Sequence, residues 1–136
     1  MISNMELQPI SPDAVVCAQT LGKLCAELGP ESVNEFISQF KSLWPTRIGR
    51  LNNAIADTDP AAGEDSALSL KSAATMVGAH HLASLAVQLQ AAFRTDNQVL
   101  QGSLMGRIEG AGNAILAELT KPGFPEHALD TYRRSP

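Results

Sequence analysis

The sequence predicts an all-α fold: an antiparallel four-helix bundle with an additional N-terminal helix. Apolar residues recur at spacings of three and four over long stretches, as one buried helix face requires. Runs of alternating β-branched residues are absent, and aromatics make up only 4% of the chain, unlike a sandwich or barrel. Proline, glycine and capping residues separate the apolar stripes. Long amphipathic helices joined by such short turns pack as antiparallel neighbours. At 136 residues and 44% hydrophobic content, the chain suits one domain with a single core. We divide it into a lead-in over 1–10, a bundle domain over 11–121 and a tail over 122–136.

Ser11-Pro12-Asp13 reads as a helix start, with a hydroxyl N-cap, proline at the first position and an acid in the first turn. Ala14, Ala18, Leu21, Cys25 and Leu28 then form a stripe. Gly22 weakens its middle, so two short helices are an alternative to one, and Gly29-Pro30 ends it. The second helix starts near Glu31 and carries Val33, Phe36, Ile37, Phe40, Trp44, Ile48, Leu51 and Ile55. Pro45 interrupts this run and predicts a kink or a local break. Arg47 projects towards the apolar stripe, where it either snorkels to the bundle's edge or lines a binding surface.

Thr58-Asp59-Pro60 repeats the cap-plus-proline device and opens a third helix running to Val77. Gly78 ends it. The fourth spans 79–95 with Leu82, Leu85, Ala86, Leu89 and Phe93 inward. Asp96-Asn97 marks the next turn. The fifth spans 97–120 with Leu100, Leu104, Ile108, Ala111, Ile115 and Leu119 inward, and Pro122-Gly123 stops it. The tail either frays or lies on the bundle through Phe124 and Tyr132.

In the third helix, Ala67, Leu70, Ala74 and Val77 share a sector of roughly 80°. Leu68 points about 140° from the centre of that face. Lys71, Ser72 and Thr75 surround it. A leucine on the solvent side of a helix is ordinary when single.

From Leu68 the chain reads L-S-L-K-S-A-A-T-M-V-G-A-H-H-L-A-S-L-A-V-Q-L-Q. This stretch resembles the signature of histidine-containing phosphotransfer (Hpt) domains, H-x-L-K-G-S/A-A-x-x-L/V-G-A-x-x-L-x-x-L-x-x-x-L-E. Leu70, Lys71, Ala73, Ala74, Val77, Gly78, Ala79, Leu82, Leu85 and Leu89 match it. The phosphoacceptor histidine falls on Leu68, and the glycine four residues later falls on Ser72. The resemblance implies a four-helix bundle with an extra N-terminal helix. It also implies a partner that is the receiver domain of a response regulator or a histidine kinase. A leucine has no nitrogen nucleophile, so the expected role is docking in a phosphorelay without phosphotransfer, and no enzyme activity. The partner-binding residues expected are Leu68, Lys71, Ser72 and Thr75, together with the acidic pair Glu64 and Asp65.

Each of these has a plainer reading. Lys71 reads equally as a solvated surface lysine, and Glu64-Asp65 as acids favoured by a helix N-terminus. His80 and His81 follow the Gly78-Ala79 break and face different directions. They read as an exposed pair near a helix start, or as a displaced phosphoacceptor. Ser69, Ser72 and Thr75 carry hydroxyls with no evident base. A structural bundle, including a homodimer through the Leu68 face, is the remaining alternative.

The net charge of −4, without a basic cluster, argues against a nucleic-acid partner. No stretch approaches the roughly 20 apolar residues that span a bilayer. MISNMELQ lacks a secretory pattern, so a cytoplasmic location is expected. Cys17 and Cys25 on one helix would sit about 12 Å apart along its axis, beyond disulfide reach, and read as buried thiols. No cofactor or metal is expected: the metal-ligand, phosphate-loop and nucleophile-elbow spacings are all absent.

Overall fold

The computed structural model describes residues 18–121. The expected cap at Ser11-Pro12-Asp13, Cys17 and the contacts of Phe124 and Tyr132 lie outside them. Within them are five helices: α1 (Ala18–Leu28), α2 (Pro30–Ala56), α3 (Pro60–Met76), α4 (His80–Arg94) and α5 (Gln98–Leu119). Helices α2 to α5 pack in sequence order around one core, and α5 returns against α2 to close the bundle. Helix α1 packs on α2.

The core is the set of inward stripes. Leu51, Leu70, Leu82, Leu85, Leu89, Leu104 and Ile108 are sealed from solvent, as are Val33, Phe93 and Ile115. Each side chain of this size contributes about 1.5–3 kcal/mol by leaving water.

Two inward assignments are corrected. Leu28 is 50% exposed, because α1 ends there, one residue before the positive-φ turn at Gly29. Leu100 is 40% exposed and Gln101 is buried in its place. The amide of Gln101 donates to the Ala92 carbonyl at 3.1 Å, so its burial leaves that donor satisfied. Of the alternatives at Gly22 and Pro45, one continuous helix holds in each case. Helix α1 runs through Gly22, anchored by buried Leu21 and Cys25 on either side. Helix α2 runs through Pro45. Proline removes the N–H that Lys41's carbonyl would accept, but Pro45 is exposed and water reaches that side.

The three turns within the bundle are built alike. After α2, Asp59 N–H donates to the Ala54 carbonyl and Thr58 N–H to Ile55. After α3, Ala79 and Gly78 donate to Ala74 and Thr75; after α4, Asn97 and Asp96 donate to Ala92 and Phe93. Each is the paired-bond Schellman termination, which satisfies orphan carbonyls through one left-handed residue. Those residues are Thr58 at φ 51°, Gly78 at φ 78° and Asp96 at φ 52°. The next residue already caps the following helix: Asp59 accepts from Ala62 N–H and Asn97 from Leu100 N–H.

A β-branched threonine is disfavoured at positive φ. Thr58→Gly is expected to raise stability by about 0.5–1 kcal/mol, read as a higher urea midpoint with unchanged slope. A lower midpoint would show that the Thr58 side chain supports the turn.

Candidate functional site

Helix α3 shows its polar side to solvent. Gly63, Ala67, Leu70 and Ala74 face the core, so the opposite stripe carries Leu68, Ser72 and Thr75 on successive turns, all exposed. Leu68 is 45% exposed. Lys71 is exposed on the next turn after Leu68. The Thr75 hydroxyl donates to the Lys71 carbonyl at 2.8 Å, a bond back along its own helix that occupies its proton. Asp65 is exposed one turn before Leu68. Glu64 lies apart from this group in its chemistry: Arg94 of α4 holds it at 3.4 Å. That bridge clasps α3 to α4 and, being largely exposed, contributes at most about 1 kcal/mol.

Beside this stripe runs a groove between α2 and α3, with a volume of about 410 Å³. Ser69, Ser72 and Met76 of α3 line one side, and Phe36, Leu43 and Arg47 of α2 the other. The Nη1 atom of Arg47 is buried without a hydrogen-bond partner. Burial, and secondarily the neighbouring Arg50, hold the Arg47 guanidinium below its ordinary value. Of the two sequence readings of Arg47, lining a surface describes this placement better than snorkelling, since one nitrogen stays under cover. Exposed Leu43 and Met76 extend the apolar surface on either side. The sequence reading did not single them out. Their spacing from Phe36 and Ser72, seven and four residues, is the signal that could have found them.

Aromatic packing supports the groove from behind. Phe40 stacks on Trp44 with ring centroids 5.9 Å apart. Trp44 in turn fits against Gly112 of α5, where any Cβ would overlap its ring. Phe93 fits against Gly63 of α3 in the same way.

His80 is exposed at the start of α4, and its Nε2 lies 3.1 Å from the Thr20 hydroxyl of α1. His81 beside it is also exposed. Leu68 sits eight residues before the last residue of α3, about 12 Å along the axis, so the histidines belong to the bundle's end and Leu68 to its flank. Leu68 itself has no lone pair to attack a phosphoryl group. Among the described residues no three His, Cys, Asp or Glu side chains are grouped as a metal site. No helix there is long and apolar enough to cross a membrane.

A family model described as the Hpt domain matches residues 35–120. The match begins within α2 and runs through α5, leaving α1 before it. No curated protein and no solved structure gives a match.

Proposed function

The chain belongs to the Hpt domain family, and on that premise we propose that it is a docking module of two-component signalling that does not carry phosphate. Hpt domains are phosphotransfer modules rather than classical enzymes, and the family interacts with receiver domains and kinases. The observation that carries the finer reading is Leu68, half-exposed on the outer flank of α3, where the family signature has its histidine. The chain there offers a hydrocarbon contact surface and no nucleophile. An exposed apolar side chain amid Lys71, Ser72 and Thr75 suits the centre of a protein contact with a polar rim. The docking face takes in Leu68, Lys71, Ser72 and Thr75 with Asp65 at its end. Glu64, tied to Arg94, acts through the α3–α4 clasp.

The test mixes the protein with a panel of phosphorylated receiver domains and sensor kinases, following binding and label transfer together. Binding without transfer is expected. Leu68→Glu should weaken that binding by about thirtyfold or more, since truncating or charging a central contact costs about 2 kcal/mol or above. Label that appears on the wild type and disappears in His80→Ala or His81→Ala would overturn the reading in favour of a displaced phosphoacceptor.

A further inference from the structure

The groove between α2 and α3 contains a charge that no described residue answers. Its floor is Phe40 and Val77, both buried, and its rim includes Leu43 and Met76, both exposed. Arg47 enters this apolar lining with Nη1 shut from solvent and unbonded. The ion pairs among the described residues are Arg94–Glu64 and Lys121–Glu118, so no carboxylate there meets it. Arg50 adds a second positive charge nearby. A guanidinium stays protonated regardless, and Nη1 alone is closed off, so an anion in the groove would meet an uncompensated charge through the nitrogens that stay open.

We propose that this groove is a binding site for a small amphipathic carboxylate, whose anionic end pairs with Arg47 and whose apolar body lies on Phe36, Leu43 and Met76. The volume of about 410 Å³ falls within the range of small-ligand sites, which are mostly apolar with a few placed polar groups. A planar carboxylate matches the guanidinium fork bidentately. Met76, unbranched and adaptable, lets the rim close on bodies of different shape. The site shares Ser72 with the docking face and does not depend on the docking reading.

The experiment is an NMR titration of the full chain with phenylbutyrate and, in parallel, with the neutral phenylbutanol. Saturable binding of phenylbutyrate is expected, with shifts confined to Phe36, Leu43, Arg47, Ser69 and Met76. The acid should bind about tenfold or more tighter than the alcohol, the scale of a charge-assisted hydrogen bond. Arg47→Met should abolish that preference while still admitting the alcohol, and Arg47→Lys should keep part of it. Equal binding of acid and alcohol, shifts centred elsewhere, or no saturation in the millimolar range would each overturn the proposal. The acid–alcohol comparison uses the wild type, so it decides the matter even where Arg47→Met fails to fold.

Discussion

Gly112→Val is expected to destabilise the bundle by about 3 kcal/mol, the upper end of what overpacking a core costs. Gly112 is buried on α5 against the face of Trp44. The indole has little freedom to retreat, being 8% exposed and stacked on Phe40. A branched side chain at Gly112 must therefore push α5 from α2, the pair that closes the bundle. Gly106, six residues earlier on the same helix, has open space where its Cβ would be. There the glycine only weakens the helix, and Gly106→Ala should stabilise by about 1 kcal/mol. Chemical denaturation of both variants checks the pair. Shifts of the same sign would show that the Trp44–Gly112 contact does not govern the interface.

Leu68→His is expected to take label from a phosphorylated receiver where the wild type, on the function proposed above, takes none. The substitution supplies an imidazole on the exposed flank of α3, with Lys71 three residues on. Imidazole has an ordinary pKa near 6.5, so at neutral pH its ring nitrogen is largely free to attack. Acid-labile label after mixing with a phosphorylated receiver should rise from background to a readily measured fraction. Adding Ser72→Gly should raise it further by clearing the approach. If receivers bind Leu68→His yet leave it unlabelled, the site has lost more than its nucleophile.

What the sequence discloses about this fold depends on how local the determining interaction is. The helix ends at Asp59 and Asn97 were readable because a cap bonds within three residues of itself. The core stripes of α3 and α4 were readable because periodicity reports one face directly. Gln101 misled because its burial depends on an acceptor contributed by α4, the Ala92 carbonyl. Gly63 and Gly112 look no different in sequence from Gly102, Gly106 and Gly110; only the aromatic ring on a neighbouring helix separates them. The candidate site divides in the same way. Helical geometry alone places Leu68, Ser72 and Thr75 on one outward stripe. The unanswered charge of Arg47 is a property of two packed helices, and a single stripe cannot reveal it.

The three matched Schellman turns also bear on how the molecule reaches its fold. Each joins helices that are adjacent in the chain, so most of the interhelical packing forms between neighbours a short loop apart. The entropy of closing such loops is small and grows only slowly with length. The seating of α5 on α2, with Trp44 against Gly112, is the long-range contact. Helical proteins dominated by contacts of this kind fold in about microseconds to milliseconds. Partly assembled chains of this protein, with their apolar faces open to one another, are accordingly short-lived.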